Sequence, residues 1–129
     1  MIKCLSDIRE IERRMSFDII ILRPTDLGIN DLADVESVED IGLTASVSTS
    51  LDLVFPGCAQ GAFAMGDYYV FESVLSGDPV TSIHLTLRYG SAWCESAYGE
   101  FLASLSRLCH QLQSQAYAVS DNSRIASFL

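Results

Sequence analysis

Residues 67–90, DYYVFESVLSGDPVTSIHLTLRYG, constrain the fold more than any other stretch of this chain. Tyr69, Phe71 and Leu75 alternate with Val70, Glu72 and Val74. After SGDP, Ile83, Leu85 and Leu87 alternate with Ser82, His84, Thr86 and Arg88. Successive side chains of a strand point to opposite faces, so a period of two describes two strands with one face buried. Gly77, Asp78 and Pro79 supply turn chemistry between them, and the pair reads as an antiparallel hairpin. A register in which paired residue numbers sum to 156 sets Glu72 directly opposite His84, on the face away from the apolar set.

The remaining elements are read around that hairpin. FDIIILRP (17–24) is a β-branched run stopped by proline, the pattern of a buried strand. TASVSTSLDLVFPG (44–57) places Val47, Leu51 and Val54/Phe55 at helical spacing and ends at Pro56-Gly57. Gly61 and Gly66 mark a loop. Residues 91–115 carry an apolar stripe through Tyr98, Phe101/Leu102, Leu105, Leu108/Cys109 and Leu112, with Ser91 as the expected N-cap of a long amphipathic helix. AYAVSD reads as a strand, and RIASFL as a short terminal strand after a turn containing Asn122. The order β-α-β-β-α-β predicts an α+β fold of the ferredoxin-like sandwich type. In it, helices 44–55 and 92–114 cover one face of an antiparallel sheet, with a short extra C-terminal strand. The expected core is Ile19, Ile21, Phe71, Ile83, Leu85, Leu87, Phe101, Leu105 and Leu108. Residues 15–129 form the expected domain, and residues 1–14 an N-terminal extension whose Ile2, Leu5, Ile8 and Ile11 suit a short helix.

Charge is the second constraint. The chain of 129 residues has a formal net charge of −9, with 49% apolar and 19% charged residues, a globular composition. Residues 24–87 hold ten acids and no Lys or Arg, a balance of −10, while the two flanking parts together come to +1. Such a field repels nucleic acid phosphates and anionic membranes and attracts basic partners. Neither nucleic acid nor membrane is an expected partner. No apolar run is long enough to span a bilayer, and no signal-peptide pattern opens the chain, so a cytoplasmic location is expected. Cys4, Cys58, Cys94 and Cys109 lack paired ligand spacing and read as free thiols.

The residues offer little for catalysis. Cys109 and His110 are helix neighbours and point about 100° apart, so they do not form a nucleophile–base pair. Glu72 with His84 or Arg88 describes an ordinary cross-strand pair on a solvated face as readily as an acid–base site. The acidic stretch PTDLGINDLADVESVED lacks the alternating ligands, central glycine and terminal glutamate of a calcium loop. GCAQGAFAMG lacks the lysine of a phosphate loop. No enzyme activity, cofactor or metal is expected.

The arrangement MSFDIIILRPTD, LDLVFPG, YYVFESVLSGDPVTSIHLTLRYG and LSRLCHQLQSQAYAVSDNS resembles a broad group of small bacterial proteins similar to immunity proteins. These are encoded beside polymorphic or contact-delivered toxins, including those of type VI secretion. The resemblance spans Met15 to Leu129 and rests on the opening SFD strand, FPG after the first helix, E…GDPV.SI.L..R across the hairpin, and the closing strand with Asp121. FPG continues here as FPGCAQG, without the group's aspartate and tryptophan, and the end reads SDNSRI. The resemblance implies an antitoxin that inhibits a toxin domain with a basic active region, needing only a complementary surface. The expected partner-binding residues are Asp26, Asp31, Asp34, Glu36, Glu39, Asp40 and Glu72. The alternatives are a small enzyme or ligand-binding domain using Glu72, His84 and Arg88, and an adaptor or secretion chaperone.

Overall fold

Ile19 and Ile21 can be buried completely only where strands flank them on both sides and a second layer covers them. The computed structural model, which describes residues 16–58 and 61–128, places them there. The expectation for residues 1–14 lies outside the described residues. The chain runs through β1 (Ser16–Pro24), a 3-10 turn (Leu32–Asp34), β2 (Val38–Glu39), α1 (Thr44–Val54), β3 (Ala62–Met65) and β4 (Tyr69–Ser76). It continues through β5 (Ser82–Tyr89), α2 (Glu95–Leu112), β6 (Gln115–Ala118) and β7 (Arg124–Ser127). The fold is α+β, an open antiparallel sheet of seven strands with two helices among the described residues. The order across the sheet is β3-β4-β5-β1-β6-β7, and β2 pairs with the end of β1.

The period of two sorts each strand between two faces. Phe17, Ile19 and Ile21 of β1, Ile83, Leu85 and Leu87 of β5, and Phe71 of β4 line the inner face. Both helices pack there, through Val47 and Leu51 of α1 and Ala97, Phe101, Leu105, Leu108 and Leu112 of α2. All nine residues expected in the core are buried. Phe55, just past α1, joins the layers: its ring meets Phe71 edge-on at 4.6 Å and Phe101 at 6.1 Å. Burying each large side chain of this set stabilises the fold by about 1.5–3 kcal/mol before entropy is counted.

Two expected boundaries are corrected. The loop expected around Gly61 and Gly66 contains β3, which pairs with β4 from Ala62↔Glu72 to Met65↔Tyr69. Period-two placement puts Phe63 over the core, where it packs on Phe55 at 5.3 Å and Phe71 at 5.6 Å. The long helix begins at Glu95 with Cys94 at the cap, not at Ser91. Residues 90–93 are used otherwise: Gly90 N–H donates to the Tyr68 carbonyl and Ala92 N–H to that of Asp67, each at 2.9 Å. A Cβ on residue 90 would collide with the Asp67 carbonyl, so this close approach requires glycine. The turn sends Trp93 into the core against Tyr69, Tyr89 and Tyr98 before the helix starts.

The end of α2 is closed by its own backbone and by an arginine. Gln113 adopts the left-handed conformation, and the N–H groups of Gln113 and Ser114 donate to the carbonyls of His110 and Cys109. Arg23 then donates from Nε to the Gln113 carbonyl at 3.0 Å and from Nη2 to that of Leu112 at 2.8 Å. A cation on the last carbonyls of a helix also meets the negative end of its dipole.

Candidate functional site

The outer face of the sheet carries the second half of each alternation. On β1 this is Asp18, Ile20 and Leu22; on β5, Ser82, His84, Thr86 and Arg88; on β4, Val70, Glu72, Val74 and Ser76; on β6, Gln115 and Tyr117. Gln115, Tyr117 and Leu22 are nevertheless buried. Over Gln115 and Tyr117 the cover is the acidic stretch itself.

From Pro24 the chain crosses this outer face. Gln115 Nε2 donates to the Leu27 carbonyl at 2.7 Å. The Tyr117 hydroxyl lies 2.8 Å from the Ile29 carbonyl and 2.7 Å from Gln115 Oε1, and its one hydrogen serves either acceptor. Farther on, the segment reaches the start of β7. Arg124 N–H donates to the Asn30 carbonyl at 3.1 Å, Asp31 bridges Ser123, and Leu32 N–H donates to the Asn122 carbonyl at 2.8 Å. The chain then turns through Leu32–Asp34 and comes back, so that Thr25 N–H meets the Ser37 carbonyl at 3.0 Å and β2 pairs with Arg23 and Pro24. The excursion is Ω-shaped, with its ends together and its backbone tied down on both limbs.

All six of its carboxylates are exposed. Asp26 Oδ1 accepts from Gly28 N–H and Asp31 Oδ1 from Ala33 N–H, both at 2.9 Å, so these two shape the backbone. Asp34, Glu36, Glu39 and Asp40 make no side-chain hydrogen bond or ion pair with the described residues. Arg23, the base nearest in sequence, is occupied by the carbonyls of Leu112 and Gln113. Two apolar side chains stand exposed among these charges, Val38 at 40% and Leu43 at 63%. Sequence periodicity did not single them out, because neither lies on a regular face.

Glu72 stands apart from this segment, on β4, with β5 between it and β1. Its expected opposition to His84 is corrected by the register. Glu72 pairs with Thr86, and His84 with Val74 and Ile20. Paired numbers sum to 158, and Val80 pairs instead with Gly42: Ile41 N–H donates to the Val80 carbonyl at 2.7 Å and Val80 N–H to that of Gly42 at 2.8 Å. Ser76 therefore pairs with Ser82. Glu72 Oε1 lies 3.9 Å from Arg88 Nη1, and His84 Nε2 lies 3.4 Å from Asp18 Oδ1. All four side chains are about half exposed, where such pairs contribute little stability. Asp18 was missed from sequence, although its alternation with Phe17 and Ile19 assigns it to this face.

No disulfide joins Cys58, Cys94 and Cys109 to one another. Burial pushes the Cys109 thiol up to about 12 and raises that of Cys58, which keeps both protonated and non-nucleophilic. His110 is exposed while its neighbour Cys109 is buried, so the structure does not bring them together. Among the described residues no group of three or more His, Cys, Asp or Glu is placed to hold a metal ion. No helix among them is long and apolar enough to cross a membrane. No protein-family model, curated protein or solved structure matches the chain.

Proposed function

We propose that this chain is an immunity protein that neutralises a cognate bacterial toxin by docking its acidic segment on the toxin's basic active region. The carrying observation is the combination at residues 34–43. Four carboxylates without a cationic partner among the described residues share this stretch with exposed Val38 and Leu43, on a backbone held at Ser37 by Thr25, at Val38 and Glu39 by β1, and at Ile41 and Gly42 by Val80. An interface of this kind has apolar anchors that lose water and a charged rim that steers approach. Pinning the segment beforehand lowers the ordering cost of binding. Inhibition by occupation needs no catalytic group, cofactor or metal, and the protein acts in the cytoplasm, where its thiols stay reduced.

The inner strands β4-β5-β1-β6, joined in the order β-α-β-β-α-β, support reading the scaffold as ferredoxin-like, with β3 and β7 added at its edges. A second reading uses the uncovered part of the outer face for a small ligand, and the 3.4 Å approach of Asp18 to His84 favours it.

Co-expression with the toxin domain encoded beside this chain separates the two readings. The immunity reading expects protection of the host and loss of protection when Asp34, Glu36, Glu39 and Asp40 are all changed to Lys in a protein that still folds. Protection that survives this change but is lost with Asp18→Ala or His84→Ala would move the function to the sheet face.

A further inference from the structure

Alternation along β1 sends Phe17, Ile19 and Ile21 to the inner face, and Arg23 continues that row at the end of the strand. Its partner across the β1–β2 pair is Glu39, so the two side chains leave the backbone side by side on one face. An arginine and a glutamate so placed ordinarily form an ion pair. Here they do not. Glu39 is exposed and makes no ion pair with the described residues, while the guanidinium turns to three carbonyls. Nε donates to that of Gln113 at 3.0 Å, and Nη2 to that of Leu112 at 2.8 Å and, at a longer 3.5 Å, to that of Ile41. The first two lie at the end of α2. The third belongs to residues 38–43, the limb that carries Val38, Glu39, Asp40 and Leu43.

We infer that Arg23 is the positioning residue of the acidic surface: its guanidinium clamps the limb 38–43 to the end of α2 and gives none of its hydrogen bonds to Glu39. The clamp rests on the docking reading for its purpose, and adds to that reading the side chain that holds Val38, Glu39 and Asp40 in place. Other braces of the limb are backbone bonds within the sheet layer. Thr25 N–H donates to the Ser37 carbonyl, Ile41 N–H to that of Val80, and Val80 N–H to that of Gly42. Arg23 ties the same limb to the helix layer.

Solvation decides which acceptors the guanidinium takes. An ion pair with exposed Glu39 would be screened by water and salt and would gain little. The last carbonyls of α2 have no donor within the helix, and a carbonyl that loses water without gaining a donor is costly. The negative end of the α2 dipole adds to the attraction. Arginine also suits the task by shape. Its planar fork presents several N–H groups in fixed directions, so one side chain reaches Gln113, Leu112 and Ile41 together. A lysine ammonium on its flexible stem has no such fork and would be free to swing to Glu39.

Amide exchange of the full chain, native and with Arg23→Lys or Arg23→Met, tests the clamp. No toxin enters the measurement, so the clamp and the docking reading fail separately. Arg23→Lys keeps the net charge of −9, so what it changes is the fork and not the overall field. The amides of Ile41 and Val80, which bond across the limb, should exchange faster by roughly fivefold or more in both variants. The amides of Ile83 and Leu85 in β5 are the reference and should change little. A residue that only caps the helix would instead speed Gln113 and Ser114, whose N–H groups close α2, and leave Ile41 and Val80 as they were. That outcome overturns the inference, and so does equal acceleration in β5. Should both variants fail to fold, Glu39→Gln decides, because it alters only an exposed side chain. With no ion pair to lose, exchange at Ile41 and Val80 should stay within about twofold of native. A larger acceleration would show that Glu39 holds the guanidinium, and the clamp as drawn would be wrong.

Discussion

Cys109 illustrates how one buried group links packing to pH. Its thiol is fully buried in α2, and burial alone raises it from 9.0 to about 12. The folded state therefore holds a proton that the unfolded state releases. The sign follows directly: stability is unaffected below pH 9, then falls as pH rises from 9 toward about 12. Cys58, Tyr69, Tyr98 and Tyr117 are shifted upward by burial as well and add to the same alkaline loss. Denaturant unfolding of Cys109→Ala across this window should show a pH slope shallower by up to about 1.4 kcal/mol per pH unit, whatever the cavity costs at neutral pH. An unchanged slope would mean that the thiol ionises as easily in the fold as outside it. Single residues also mark how far alternation can be read. The faces of Ile83, Leu85, Leu87 and Glu72 were legible from period two, but the partner of His84 was not. Shifting a strand by two residues leaves every side chain on its face, so the pattern cannot distinguish sums of 156 and 158. In the fold the register of 158 goes with a five-residue loop, 77–81, and with Val80 paired to Gly42, distant in sequence.

Among the elements, the long periodic segments were legible, and so were the four-residue strands β6 and β7, but β2 and β3 were not. α2, β4 and β5 follow from their spacing, because each buries a whole stripe or face. β2 is too short for a period, and β3, set between Gly61 and Gly66, carries only one large apolar residue on each side of Ala64; both pair with longer strands. The acidic segment is the extreme case. It reads as a solvated loop, yet its path is set by Gln115 and Tyr117, nearly ninety residues later. Removing one anchor should loosen it. Tyr117→Phe deletes the hydroxyl that bonds Ile29 or Gln115 and should lower the local opening free energy by about 1–2 kcal/mol. Amide exchange at Leu32, Thr25 and Arg124 should then accelerate roughly tenfold, with the amides of β5 little changed. Equal acceleration everywhere would show that the segment has no opening of its own.

For the molecule as a whole, the balance of −10 in residues 24–87 was legible as a charge excess, but its arrangement was not. The sequence could not show that Arg23 is spent on carbonyls at the end of α2, or that the segment is pinned over the outer face with Val38 and Leu43 exposed. Together these features describe a charged rim held in place before any partner arrives. The most direct measurement is the association rate of this protein with a basic toxin domain of the kind proposed as its partner, across a salt series. The comparison is with the variant carrying Asp34→Lys, Glu36→Lys, Glu39→Lys and Asp40→Lys. Steering by the rim predicts association slower by roughly tenfold or more in the variant. It also predicts a native rate that falls as salt shortens the Debye length below about 10 Å, and melting temperatures that stay close because all four positions are exposed. Equal rates with no salt dependence would contradict the account and leave the acidic segment only as cover for Gln115 and Tyr117.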